Sequence, residues 1–328
     1  MLRRAVLVFG VVLSLYSITL PLAVDAQRAG KVYRIGVLGG GTAAQNASRM
    51  DAFRQGLREL GWVHERAIAF DERWADGHYE RLPALAAELV ALKVDLILAS
   101  GGTPAVQAAM KATQRIPIVV GAISDPVATK IVQSLAHPGG NVTGLTNMAS
   151  ELYPKRLALL AEGMPGIKHV ALLVNGANPF SAEALRLSQA AGRSLGIQLE
   201  GFDVRDPKDF ETTFERMSHA GAQAVLVGTD ILLLVSVKQL GGLALKHKLP
   251  LIAGNHDVGV LVAYTVDNDE SYRRASTYVD KILKGAKPAD LPMEQPTRFS
   301  LIIDLRTAKT LGMTIPQSLL LRADEVIQ

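Results

Sequence analysis

Six short loops carry the side chains best suited to hold a small polar molecule. In the first half of the chain they are residues 39–42 with Thr42, 100–103 with Ser100, Gly102 and Thr103, and 122–125 with Ser124 and Asp125. In the second half they are 175–180 with Asn175, Asn178 and Phe180, 228–230 with Thr229 and Asp230, and 254–257 with Asp257. Glycines there let a ligand approach the backbone, while hydroxyl, amide and carboxylate groups fix its orientation. For an amino acid, Asp125 or Asp257 would pair with the ammonium, and N–H groups at helix starts beside Thr103 or Thr229 would take the carboxylate. Each residue also has a reading without a ligand. Thr103 and Thr229 fit helix caps, Asp125 before Pro126 fits a helix start, Asn175 and Asn178 fit turns, and Phe180 fits a packing contact.

Enzymatic signatures are missing from the same loops. The chain contains no G-x-S-x-G, no Walker loop and no H-E-x-x-H. His256-Asp257 is the one histidine beside a carboxylate in these loops, and a polar loop accounts for it. Gly39-Gly-Gly-Thr-Ala-Ala44 fits a loose dinucleotide fingerprint, but the acidic residue expected about 20 residues on is absent. No cofactor and no metal are therefore expected. There is no cysteine, so thiolate metal sites and disulfides are excluded and the fold must rest on burial.

The elements that position these loops alternate. Apolar strand-like runs at 32–38, 67–74, 94–99 and 118–122 are separated by helical periodicities at 49–60, 79–92 and 103–112. A turn-rich stretch, His137-Pro-Gly-Gly-Asn141, breaks the rhythm. It resumes with strands at 170–174, 197–204, 224–227 and 251–253 and helices at 182–195, 208–219 and 232–247. A helix at 272–283, a proline-rich extended segment at 286–296, a strand at 299–304 and a short helix at 307–311 follow. Strand–helix alternation predicts parallel sheets with crossover helices, an α/β fold in two lobes. The halves echo one another: a strand, a Gly-Thr helix start, a helix and an apolar-Pro-apolar strand lead to Gly121 and Asp125 in one, and to Gly254 and Asp257 in the other. This predicts a structural repeat.

The N-terminus reads as an export signal. Arg3-Arg4 precedes an apolar run from Ala5 to Leu20, and small residues Ala23 and Ala26 flank a cut before Gln27. Taking these 26 residues from 328 leaves 302, enough for two cores. Lys+Arg falls from 35 to 33 and Asp+Glu from 31 to 30, a formal charge of +3, too mild for nucleic-acid binding. No later apolar run reaches the ~18 residues a membrane span needs.

Several motifs together resemble a known family. They are Lys31-Val-Tyr-Arg-Ile-Gly-Val-Leu38, Gly56-Leu-Arg-Glu-Leu-Gly61, Ser124-Asp-Pro-Val127, His137-Pro-Gly-Gly-Asn-Val-Thr-Gly144, Tyr278-Val-Asp-Lys-Ile-Leu-Lys-Gly285 and Asp304-Leu-Arg-Thr-Ala-Lys309. The whole mature chain resembles the ABC-transporter substrate-binding family that includes tryptophan- and tyrosine-binding lipoproteins. The resemblance implies a type I periplasmic-binding-protein fold. It has two Rossmann-like lobes joined by three crossings, near 145–152, 264–269 and 292–299. The expected domains are a signal at 1–26, an N-terminal lobe of 27–146 plus 294–328, and a C-terminal lobe of 147–293. The implied function is capture of a small polar molecule by hinge closure and delivery to an ABC permease and its ATPase. The expected state is a free periplasmic monomer that is not an enzyme. An exported α/β enzyme using the same cleft, or a ligand sensor, are the alternatives. Residues 255–257 and 260–264 depart from the family's usual Gly-Gly-Leu and Ser-Tyr-Gly runs.

Overall fold

Apolar side chains that run unbroken along short strands need cover on both faces, and the chain supplies it twice. The computed structural model describes residues 31–63 and 66–328. The expected export signal lies outside the described residues. The first sheet is built from β1 (Tyr33–Gly39), β2 (Ile68–Trp74), β3 (Leu96–Ser100), β4 (Ile118–Ile123) and β5 (Val142–Thr146). Their crossovers are α1 (Ala47–Glu59), α2 (Leu82–Ala91) and α3 (Gly102–Ala112). All pairs are parallel, in the order β2-β1-β3-β4-β5.

The second half repeats the scheme. After α4 (Ala149–Gly163) come β6 (His169–Val174), α5 (Ser181–Leu195), β7 (Gln198–Asp203), α6 (Phe210–His219) and β8 (Ala224–Val227). Then follow α7 (Ile231–Val235), α8 (Val237–Lys246), β9 (Leu251–Ala253) and β10 (Val262–Val266). The order β7-β6-β8-β9-β10 matches that of the first sheet strand for strand, so the predicted repeat is present as topology. The last elements are α9 (Asn268–Leu283), β11 (Phe299–Asp304), α10 (Leu305–Thr310), α11 (Gln317–Leu320) and β12 (Glu325–Ile327).

The tail corrects the expected division of the chain. β11 pairs antiparallel with β10 and parallel with β12, so both strands extend the second sheet rather than the first. α9, assigned by sequence to the C-terminal lobe, instead packs on the first sheet, with Tyr272, Ala275 and Val279 against Ile35, Val37 and Phe53. Three crossings are an odd number, so a chain that starts in one lobe must end in the other. Residues 268–294 therefore serve the first lobe, and 299–328 the second.

Each sheet is covered on both faces. In the first, Leu38, Ile97 and Val120 face α2 and α3, while Val37, Leu98 and Val119 face α1 and α9. In the second, Leu172, Leu226 and Ile252 face α4 and α5, and Leu173, Val225 and Leu251 face α6 and α8. Two glycines are required by close approach. A Cβ at Gly56 would lie 2.5 Å from the Arg273 carbonyl, so α1 and α9 touch through bare backbone. Gly144 holds φ +132, and a Cβ there would lie 2.2 Å from the Val120 carbonyl across the β4–β5 ladder.

Candidate functional site

In open parallel sheets the free N–H groups and loops gather beyond the carboxyl ends of the strands, at the point where strand order reverses. Here both sheets present those ends to each other. They enclose a cleft of about 800 Å³ measured to its open mouth. The first lobe contributes Gly101 and Gly102 after β3, Ala122 and Ser124 at the end of β4, Arg49 of α1, and Tyr272 of α9. The second contributes Gly228, Thr229 and Asp230 after β8, Gly254 and Asn255 after β9, Thr265 of β10 and Arg156 of α4. Asn147 and Asn268 line it where the chain crosses between lobes.

The lobes touch across this cleft. The Tyr79 hydroxyl, from the loop after β2, donates to Asp230 Oδ2 at 2.9 Å. A Cβ on Gly40 would lie 3.3 Å from a methyl of Ile231, so the glycine loop after β1 abuts the start of α7. Asp230 is the hub. It caps α7 by accepting from the Leu232 N–H at 2.9 Å, and Asn175 and Asn178 donate to it at 3.0 and 2.8 Å. Burial pushes its carboxyl above the ordinary value, against the pull of these donors. Burial also raises Tyr79, and the charge of Asp230 adds to the effect.

Arg156 is the other buried polar group of consequence. It is only 2% exposed, the bulkiest of the fully buried side chains. Its Nε donates to the Tyr264 carbonyl at 2.9 Å and its Nη1 reaches Thr229 Oγ1 at 3.4 Å. A Cβ at Gly254 would lie 2.9 Å from Nη2, so glycine at that strand end leaves room for the guanidinium. Burial lowers its pKa to about 10, with Tyr153 and Tyr264 opposing, and it stays charged at neutral pH. Tyr153 supports the same corner by accepting the Thr229 N–H at 2.6 Å.

Of the residues singled out from sequence, Gly102, Ser124, Asn178, Thr229 and Asp230 line the cleft. Ser100 lies just behind, its hydroxyl 2.8 Å from that of Tyr272. The others have work elsewhere. Thr42 Oγ1 accepts the Gln45 N–H at 3.2 Å, and Gln45 returns a bond to the Thr42 N–H, closing the turn before α1. Asp125 accepts from the N–H groups of Val127 and Ala128 and from the Ser150 hydroxyl, so it is a turn former. Asn175 orients Asp230 and accepts the Ala177 N–H. Phe180, 1% exposed, packs against Tyr153 in the core of the second lobe and offers no stacking platform. Asp257 bonds the next N–H, that of Val258. The buried Thr103 hydroxyl has no partner among the described residues and caps nothing. His256 pairs with Asp304 at 3.2 Å rather than with its neighbour Asp257.

Sequence reading missed Arg156 because it missed α4, whose pattern is interrupted by Pro154. Arg49, Asn147 and Asn268 were also missed. Their signal was position: each lies within a turn of a helix start or a lobe crossing. Among the described residues there is no cluster of three or more metal-ligating side chains. No helix among them is long and apolar enough to cross a membrane.

Two α/β lobes joined by three crossings of the chain and facing each other across a cleft have the fold of type I periplasmic binding proteins. Comparison with known proteins agrees. The chain belongs to the ABC transporter substrate binding protein family, whose model matches residues 44–327. It is 28% identical over 265 residues to a tyrosine-binding protein of Clostridioides difficile, covering 80% of this chain and 75% of that one. A solved ABC domain from Streptococcus pneumonia in complex with L-Trp shares 26% identity at a TM-score of 0.82, over 90% of this chain and all of that one. A conserved domain protein from Vibrio cholerae has the same fold, with a TM-score of 0.85 at 23% identity over 90% of this chain and 100% of that one.

Proposed function

We propose that this chain is the extracytoplasmic solute receptor of an ABC importer, binding one small polar molecule between its lobes and presenting it to the permease. The observation that carries this reading is the Tyr79–Asp230 hydrogen bond, made from one lobe to the other over a cleft lined by both. A solute that touches both walls stabilises the closed form by its differential affinity for it, and closure is the shape a permease can recognise. The reading includes no catalytic step. It places the mature protein in the periplasm as a monomer, in keeping with the export-type N-terminus. An amino acid or a related carboxylate is the expected cargo class, supported by the tyrosine- and L-Trp-binding relatives and by a charged guanidinium in the cleft wall.

The test is a thermal-shift screen of protein stripped of bound solute, against amino acids, organic acids, sugars and nucleosides. A ligand at 100 times its Kd adds about 2.7 kcal/mol, a rise in Tm of several degrees at this size. Recovery of the hit unchanged after incubation supports a receptor. Consumption of the hit would turn the assignment to an enzyme.

A further inference from the structure

Two arginines reach the cleft from opposite lobes, and neither has an acidic partner among the described residues. Arg156 is buried, and its recorded bonds run only to a carbonyl and a hydroxyl. Arg49, in the first turn of α1, donates to the Asn46 side-chain oxygen at 3.2 Å. A buried guanidinium without a counter-charge is costly, and a planar fork of N–H donors is matched best by a carboxylate.

The cleft offers no comparable site for a cation. Asp230 is the sole acidic residue in its lining among the described residues. Its Oδ1 accepts from Asn175 and the Leu232 N–H, and its Oδ2 from Tyr79 and Asn178. Two donors on each oxygen fill the roughly four acceptor sites a carboxylate has. An incoming ammonium would have to displace one of them, and displacing Tyr79 would undo the contact between the lobes. The rest of the wall includes Leu152, Ile231, Leu234 and Val266, which suit a carbon body rather than a bare inorganic ion.

We propose that the cargo is a small organic anion, a carboxylate without an α-ammonium group, held by Arg156 from one lobe and Arg49 from the other. This rests on the capture function above and narrows its substrate class. It also supplies a reason for closure. Two like charges on facing walls oppose closing of the empty protein, and an anion between them reverses the sign.

Matched probes test it by calorimetry: L-tyrosine, 3-(4-hydroxyphenyl)propanoate and tyramine, with the corresponding L-phenylalanine and L-tryptophan sets. In at least one set the deaminated acid should bind about tenfold or more tighter than the amino acid, and the amine should not bind. Arg49→Gln and Arg156→Gln should each weaken the acid by about tenfold or more. Arg49 is only half-buried, in the first turn of α1, so its variant keeps the test open should the buried one misfold. Amino acids binding as tightly as their deaminated acids would overturn the inference and leave the receptor function standing. So would acid binding that survives Arg49→Gln unchanged. Failure of these probes and of neutral sugars and nucleosides alike would overturn both.

Discussion

Tyr79 is absent from the cleft lining yet bonds from one lobe to the other; if the proposed capture by closure holds, this bond latches the closed form and Tyr79→Phe should weaken every ligand by the same factor. The hydroxyl donates at 2.9 Å to a carboxylate that is buried and otherwise bonded only within its own lobe. A hydrogen bond to a charged group contributes about 1.5–3 kcal/mol, and the open form has no counterpart to it because water serves both groups there. Each 1.4 kcal/mol is tenfold, so the closing equilibrium should fall by about 10- to 100-fold. Where the empty protein is mostly open, apparent affinity falls with the closed fraction. Calorimetric titration of wild type and Y79F with two chemically unlike ligands measures this. Small-angle scattering of the liganded proteins should show the variant needing more ligand to reach the compact form. A Kd within twofold of wild type would refute the latch. A factor that differs severalfold between the two ligands would instead mean that Tyr79 touches the cargo.

Three further outcomes follow from the same geometry. Asp125→Ala should cost about 1 kcal/mol of stability through its lost turn bonds, seen as a small drop in Tm, while ligand affinity stays within about threefold. Gly144→Ala should destabilise by at least about 2 kcal/mol, because the new Cβ meets the Val120 carbonyl at 2.2 Å and φ is +132; chemical denaturation reads the loss directly. Burial pushes the Asp304 carboxyl up, but bonds from Arg306, the Thr307 N–H and His256 outweigh it and hold the group below its ordinary 3.8. Its contribution is therefore present above that pH and lost as pH falls through the lowered value. Asp304→Ala should lower stability by about 1–2 kcal/mol at pH 7, and thermal melts should show the gap to wild type closing in strong acid.

Much of the architecture was legible because burial writes a period into sequence. β8, β9 and β11 stand where their apolar runs predicted, and the echo between Ser100–Thr103 and Gly228–Thr229 proved to be one topology used twice. The loops after β3, β4, β8 and β9 line one cleft, since strand ends in parallel sheets leave N–H groups free. Individual roles were less legible. A turn-forming Asp125 and a cleft-lining Asp230 have the same local signature, an aspartate just after a strand. Their difference lies in residues far along the chain, Ser150 for one and Tyr79 for the other.

The sequence by itself determined the fold class, the repeat and the set of candidate loops, because each depends on local periodicity or turn chemistry; the three crossings came from the family resemblance. Only the tertiary structure decided which lobe owns the tail, that Phe180 is core, and that Arg49 and Arg156 face one cleft. Those facts rest on pairings between β10 and β11, on packing of α4 beneath the second sheet, and on the two lobes lining one cleft. Contacts of that kind join residues whose separation in sequence leaves no period to read, so they exist only once the chain has folded.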